Sequence, residues 1–281
     1  MLIFFINKNG IIEDKAGKDM ALRNMDTSVH HTVGRPRQIT ILTICPEMFI
    51  GFLDSHILSL ARERRLARVT VTDLKNYAEG SFRAIDDSPY GGGNGMILRA
   101  KPILDAMAQI RSSACEGERI RTVVLSPAGR PYDQQKAREL AQIDHLVLIC
   151  GHYEGIDQRA VDAADEVISI GDYVLSGGEI PAMVLADSVI RLLPGCLKEG
   201  SASEESFENG LLEYPQYTQP RSVYGREVPE VLLCGDHDKI RQYRLKSACS
   251  LTRRVRPDLW EKYTGKAVWE DLAEDSGKDP E

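Results

Sequence analysis

No stretch of this 281-residue sequence is apolar and long enough to span a bilayer. That excludes a helical membrane protein, and no membrane partner is expected. The six cysteines lie scattered at Cys45, Cys115, Cys150, Cys196, Cys234 and Cys249, with no C-x-x-C pair among them. Several sit in apolar runs, which points to buried thiols in a reducing compartment rather than to zinc or disulfides. No glycine cluster is followed by the Lys-Ser or Lys-Thr of a phosphate loop, and no G-x-G-x-x-G follows a strand. NTPases and dinucleotide dehydrogenases both lose ground. The apolar start Leu2–Ile6 lacks a basic leader and is too short for a signal core, so a cytoplasmic protein is expected.

What is present is ordinary for a soluble globular chain: 42% hydrophobic and 27% charged residues. The net charge is −7, but its distribution is uneven. Lys239, Arg241, Arg244, Lys246, Arg253, Arg254 and Arg256 crowd one late segment, while the tail from Glu270 is acidic. A polyanion responds to a local basic face more than to the total. Charge alone fits a solvated helix equally well.

Residues 1–37 are polar and aperiodic after their first few positions and read as an extension that packs poorly. From Ile39 a strand–helix alternation begins. Strands are expected at 39–44, 69–72, 122–125, 146–150 and 167–170. Helices are expected from Pro46, from Pro102, over 133–143 and over 181–193. Leu146–Cys150 is almost wholly apolar, as in a sheet covered on both faces. The helix from Pro181 is apolar on most sides and should be buried. The order predicts an α/β fold with a mostly parallel sheet and flanking helices. Glycine, serine, lysine and glutamate then break the pattern, and helices follow over about 236–249 and 257–263. The expected organisation is an extension (1–37), a sheet domain (38–195), a flexible linker (196–207), a small mainly helical domain (208–265) and an acidic tail (266–281).

Three glycine-containing loops each follow an apolar strand: Ser126–Gly129, Gly151–Gly155 and Gly171–Gly178. In open α/β sheets, ligands bind beyond the carboxyl ends of strands, and glycine there lets a ligand approach the backbone. Each loop alone reads equally as a tight turn; three together point to a ligand held by main-chain groups, such as an adenosine-containing cofactor. A fourth cluster, Tyr90-Gly91-Gly92-Gly93-Asn94-Gly95-Met96, reads as a surface loop or as a lid over a flat base. Asp86 and Asp87 are a poor metal ligand set by themselves, and no metal site is legible.

At these loops the sequence resembles the bacterial TrmD family of tRNA (guanine-N1) methyltransferases. The resemblance rests on Cys45-Pro46-Glu47-Met48-Phe49, Tyr90–Gly93, Gly151-His152-Tyr153-Glu154-Gly155-Ile156-Asp157 and Ile170–Glu179. Leu211–Thr218 and Val228–Leu233 extend it, in one order, from about Ile39 to Tyr263. It implies a SPOUT-type fold with a trefoil knot, a homodimer with shared active sites, S-adenosyl-L-methionine as methyl donor, and Mg²⁺ in catalysis. The target it implies is the guanine at position 37 of tRNA, just 3′ of the anticodon. Carried over by position, Leu125, Ser126, Pro127, Gly151, Tyr153, Glu154, Gly155, Ile170, Gly171, Tyr173, Leu175, Gly177 and Gly178 would line the donor pocket. Arg191 matches the catalytic arginine. Glu205, before Ser206-Phe207, stands where the family has its aspartate base. Asn94 and Asp236 are smaller departures, where proline and asparagine are the more usual residues. Without the resemblance, Arg191 would read as a helix-end cation and Glu205 as a solvated linker charge. Lys239, Arg241, Arg244 and Lys246 would meet the tRNA phosphates.

Overall fold

A computed structural model of the chain describes residues 4–6, 11–14, 36–80, 84–198 and 205–265. Most of the segment read as an extension, the middle of the linker and the acidic tail lie outside the described residues. The chain divides into two compact units, Met1–Leu197 and Lys198–Glu281.

In the first unit, β1 (Phe4–Ile6) and β2 (Ile11–Asp14) are short strands within the expected extension. The β-branched run at Ile39 forms β3 (Arg37–Thr43). Pro46 opens a short 3-10 turn to Phe49 that runs into α1 (Ile50–Leu53), followed by α2 (His56–Glu63). The helix expected from Pro46, carrying Met48, Phe49, Phe52 and Leu53, is thus present with a 3-10 first turn, and α2 follows it as a separate helix. β4 (Ala67–Asp73) pairs parallel with β3, Ile39 opposite Val69. Two-residue strands β5 (Asp86–Asp87) and β6 (Ile97–Leu98) bracket the fourth glycine cluster. Then come α3 (Ala100–Ser112), β7 (Ile120–Pro131), α4 (Gln134–Ala141), β8 (His145–Cys150), α5 (Gln158–Asp162), β9 (Glu166–Ser169) and α6 (Glu179–Ile190).

The sheet order is β1-β2-β4-β3-β8-β7-β9. The five strands from β4 to β9 run parallel, and β2 and β1 add an antiparallel edge. The fold is thus the mixed α/β arrangement read from the sequence, a central parallel sheet with helices on both faces. Alternation along β8 shows why. Leu146, Leu148 and Cys150 pack in one core with Leu58, Leu140 and Leu185, from α2, α4 and α6. Val147 and Ile149 pack in a second core with Ile103 and Met107 of α3 and Ala160 of α5. Truncating Leu148, which is fully buried, to alanine would cost about 2–5 kcal/mol.

Two expectations need correction. The helix from Pro181 is not buried all round: Ile180 and Val184, four residues apart, are 48% and 41% exposed and form one apolar stripe. The thiols are not uniformly buried. Cys150, Cys196 and Cys249 are, but Cys45 is half-buried and Cys115 and Cys234 are exposed; all six are free.

The second unit holds a hairpin of β10 (Ser222–Val223) and β11 (Arg226–Glu227), then α7 (His237–Val255) and α8 (Pro257–Lys262). Asp236 caps α7, accepting hydrogen bonds from the backbone N–H groups of Asp238 and Lys239. α7 runs past the expected end at Cys249 because Thr252 is buried inside it. The Thr252 hydroxyl donates to the Ala248 carbonyl and accepts from the Leu212 N–H at 2.8 Å. The unit's small core is Leu211, Ala248 and Cys249, flanked by Tyr214, Leu245, Trp260 and Tyr263. Among the described residues, no helix is long and apolar enough to cross a membrane.

Candidate active site at the carboxyl ends of the sheet

Sheet order brings the three glycine loops together. β8 lies between β3 and β7, and β9 lies beyond β7, so the ends of β7, β8 and β9 are neighbours. Leu125 pairs with both Cys150 and Ile168. The first loop is not a turn after a strand, as expected, but part of β7. Both Leu125 and Arg130 face Ile168, so Ser126–Gly129 bulges out between them. A Cβ on Gly129 would stand 2.5 Å from the Ile168 backbone, so only glycine fits where the bulge returns to the sheet.

The second and third loops are stitched to each other. The Gly178 N–H donates to the Gly151 carbonyl at 2.7 Å, and His152 and Gly177 form an antiparallel bridge. A Cβ on Gly178 would lie 2.7 Å from Cys150 Cα and 2.8 Å from the Gly151 nitrogen. The fourth cluster joins as well, because the Glu154 N–H donates to the Met96 carbonyl at 3.0 Å and the Leu98 N–H to the Gly155 carbonyl at 2.9 Å.

Around these glycines stand half-exposed side chains. Tyr153 is held at φ +57° and meets the His152 ring edge-on at 4.8 Å. The Tyr173 hydroxyl donates to the Ile170 carbonyl, and Leu175 is partly exposed beside it. Leu125 is buried in the floor, Ser126 and Ile170 are half-buried, and Pro127 and Glu154 are exposed. Gly155 and Gly171 have φ +138° and +151°, which favour glycine, and a Cβ on Gly155 would meet nothing within 4 Å. The result is a rim of backbone groups with flat aromatic and small apolar surfaces beside it. This suits a purine-bearing ligand with a polar ribose.

Beneath the rim is a polar cluster to which sequence reasoning gave no role. Glu179, the first residue of α6, is only 2% exposed and accepts a 2.7 Å hydrogen bond from the Thr43 hydroxyl. Its other oxygen faces His152 Nδ1 at 3.8 Å. Burial and the Glu179 charge push the Cys45 thiol upward, and burial holds the Cys150 thiol well above its ordinary value. Both are therefore protonated and poor nucleophiles. A carboxylate opening an otherwise apolar helix was the available signal.

Arg191 caps the carboxyl end of α6 in the first unit, half-buried. Glu205 belongs to the second unit, in a turn whose Glu208 N–H donates to the Glu205 carbonyl at 3.3 Å. Of the late basic residues, Lys239 and Arg241 are exposed on α7 and pair with Asp236 and Asp238. Lys246 is half-buried. Arg244 lies with its guanidinium 4.7 Å from the Tyr214 ring centroid, on the wall of an 810 Å³ groove also lined by Tyr217, Gln219 and Arg221.

Asp86 and Asp87 offer no free chelate, since Asp87 accepts hydrogen bonds from Arg99 and from the Ser88 N–H. Among the described residues, metal-ligand spacing occurs at Cys45, His152 and Glu179. That mixed donor set does not fit Mg²⁺, a hard cation that takes oxygen ligands.

Comparison with known proteins matches this arrangement to one family. Residues 37–262 match the model of tRNA (Guanine-1)-methyltransferase TrmD. A tRNA (guanine-N(1)-)-methyltransferase of Moorella thermoacetica is 50% identical over 225 residues, covering 79% of this chain and 89% of its own. The Dictyoglomus turgidum enzyme of that name is 47% identical over 226 residues, covering 80% and 90%. That of Bacillus licheniformis is 48% identical over 229 residues, covering 80% and 93%. The matched span takes in every strand from β3 to β9, all three stitched loops, Arg191, Glu205 and α7, and the chain belongs to the TrmD family of tRNA (guanine-1)-methyltransferases.

Proposed function

We propose that this chain transfers a methyl group from S-adenosyl-L-methionine to N1 of the guanine at position 37 of tRNA, just 3′ of the anticodon. The observation that carries this reading is the rim at Gly129 and Gly178, where backbone packs on backbone too closely for any side chain, with Gly178 hydrogen-bonded to Gly151. Bound on that rim, S-adenosyl-L-methionine supplies an electrophilic methyl group on its sulfonium. Leu125, Ser126, Pro127, Gly151, Tyr153, Glu154, Gly155, Ile170, Gly171, Tyr173, Leu175, Gly177 and Gly178 orient the donor and shield it from water.

Guanine N1 carries a proton and is a poor nucleophile until that proton leaves. Glu205 accepts it as general base, a role worth about 10²–10⁴-fold. Arg191 donates to O6 as negative charge gathers there, worth about 10²–10³-fold. The base must leave its stack to reach the methyl group. The second unit acts as the tRNA-binding domain, with Lys239, Arg241, Arg244 and Lys246 of α7 on phosphates.

The enzyme acts in the cytoplasm as a homodimer, with a SPOUT-type trefoil knot in its sheet domain. The insertion of β8 between β3 and β7 and the hydrogen bond that joins Gly178 to Gly151 support the knot. The exposed stripe Ile180 and Val184, with Met48 and Ile50 on the neighbouring turn and α1, supports the dimer.

The test is methyl transfer from labelled donor to tRNA transcripts with guanine or adenine at position 37. 1-Methylguanosine is expected only with guanine. Product from the adenine transcript, or none from either while the donor binds, would overturn the proposal.

A further inference from the structure

The cluster beneath the rim has the makings of a metal site, independent of methyl transfer. The Sγ of Cys45, a ring nitrogen of His152 and a carboxylate oxygen of Glu179 all lie within 4.8 Å of one another. They come from three elements that the sheet order brings together: the residues after β3, the loop after β8 and the start of α6. The His152 Nδ1 atom is buried and has no hydrogen-bond partner. It faces Glu179 Oε2 at 3.8 Å while Thr43 occupies Oε1.

Two further features orient the donors. The Thr43 hydroxyl that donates to Glu179 also accepts from the Cys45 N–H at 2.9 Å, so one residue fixes the carboxylate and the thiol-bearing backbone together. Such supporting contacts are what hold metal ligands in place. A Cβ on Gly177 would fall 2.2 Å from Glu179 Oε2 and 2.8 Å from His152 Nδ1. A side chain there would occupy the space in which these two donors converge.

We propose that Cys45, His152 and Glu179 form a three-ligand site for a borderline-soft divalent cation, Zn²⁺. One sulfur, one nitrogen and one oxygen are the donors zinc accepts, at bond lengths of about 2.0–2.3 Å. Tetrahedral ligands at those lengths stand roughly 3.3–3.8 Å apart, so closing from 4.8 Å takes side-chain rotation of about 1 Å. Binding releases the Cys45 proton to solvent, and thiolate plus carboxylate then balance the ion's two charges. The fourth position of a tetrahedral ion is left for water. The ion clamps the end of β3, the loop after β8 and α6 to one another.

The experiment uses the full chain with the exposed thiols removed as C115S/C234S, freed of metal by chelation, then titrated with Co²⁺ and back-titrated with Zn²⁺. One equivalent of Co²⁺ should give a thiolate charge-transfer band with four-coordinate visible absorption. Zn²⁺ should displace it, and excess Mg²⁺ should not. Cys45→Ser should abolish the band. His152→Ala should weaken Zn²⁺ binding by about 10–100-fold or more. Zinc should raise the unfolding temperature of the parent but not of Cys45→Ser. Absence of a thiolate band, a band that survives Cys45→Ser, or zinc affinity unchanged in His152→Ala would each overturn the site. Cys45 is only half-buried, so the serine variant tests the site even where His152→Ala folds poorly.

Discussion

Substituting Gly178 by alanine isolates the packing that builds the candidate pocket. Gly178 has φ −82°, a conformation any residue adopts, so the substitution carries no backbone penalty of its own. Its effect is steric. The new methyl would sit 2.7 Å from Cys150 Cα and 2.8 Å from the Gly151 nitrogen, both backbone atoms at the end of the central strand β8. Neither can swing aside as a side-chain tip would. The Gly177–Gly178 segment must lift, lengthening the 2.7 Å hydrogen bond from Gly178 to Gly151. Overpacking costs about 1–3 kcal/mol and the lost bond about 0.5–1.5 kcal/mol, together about 2–4 kcal/mol. Urea unfolding should show this as a lower midpoint at unchanged slope. Calorimetric titration with S-adenosylhomocysteine should show at least about tenfold weaker binding, since a displacement of about 1 Å disturbs a preorganised site strongly. Gly80→Ala is the control. Gly80 has φ +82° with nothing within 4 Å, so alanine there costs about 1–2 kcal/mol of strain and leaves ligand affinity untouched. Wild-type midpoint and wild-type affinity in Gly178→Ala would refute the reasoning.

Other expectations follow from single contacts. Arg191→Ala should lower the methyl-transfer rate constant by about 10²–10³-fold while donor affinity stays close to wild type; equal losses in both would make Arg191 a donor-binding residue instead. A Lys239/Arg241/Arg244 triple alanine variant should bind tRNA more weakly and with a shallower salt dependence, by up to about 0.9 per lost phosphate contact; unchanged filter-binding curves would remove α7 from the interface. Asp144, held by hydrogen bonds from Arg119 with Arg37 nearby, has its pKa lowered to about 2. A lowered folded pKa stabilises above the unfolded value of about 3.9, and that contribution disappears as pH falls through about 2. Asp144→Asn should therefore be less stable than wild type at pH 6, by about 1 kcal/mol after allowing for the exposed Arg119. The two proteins should converge near pH 2, and a gap that persists there would show packing rather than charge to be responsible.

The legible elements are those whose local pattern and tertiary setting agree. β3, β4, β8 and β9 were readable because β-branched or apolar runs of strand length sit between turn residues. The full reach of β7 was not. Ser126–Gly129 with Pro127 reads as a loop closing the strand, yet the strand resumes at Arg130 and Pro131 by pairing with Ile168 and Ser169 of β9. β8 has ended by then, so the resumed segment is paired with β9 alone, the edge setting in which proline is tolerated. Of the site, the glycine loops were legible, because glycine after a strand carries a backbone meaning. The cluster of Thr43, Cys45, His152 and Glu179 was not, since its members converge only through the order in which the strands lie. Glu179 in sequence is simply an acid at a helix start, where the dipole already explains it.

Glu205 carries the sharpest test of the proposed chemistry, because the resemblance implies an aspartate base at its position and its side chain is one methylene longer. Its surroundings on the carboxyl side are fixed by local bonds. Phe207, at φ +75°, donates its N–H to the Leu211 carbonyl at 2.8 Å, and the Ser206 hydroxyl accepts from the Glu213 N–H at 2.9 Å. Leu211 is itself buried in the core of the second unit. The turn carrying Glu205 is thus anchored to that core, and its carboxylate has the reach of its own side chain. Two variants separate charge from reach. Glu205→Gln keeps the length and removes the base, so the rate constant should fall by about 10²–10⁴-fold with little change in tRNA or donor affinity. Glu205→Asp keeps the base and shortens it. If this chain has adjusted to glutamate, the aspartate variant should lose up to about 100-fold, the cost of misplacement by about 1 Å. Single-turnover measurements across pH would distinguish the two. In Glu205→Asp the rate should still rise with ionisation of a carboxylate, and in Glu205→Gln that limb should vanish. Near-normal turnover in Glu205→Gln would remove Glu205 as the base. The search would then pass to Glu154, whose carboxylate lies exposed on the rim and whose backbone is pinned to Met96.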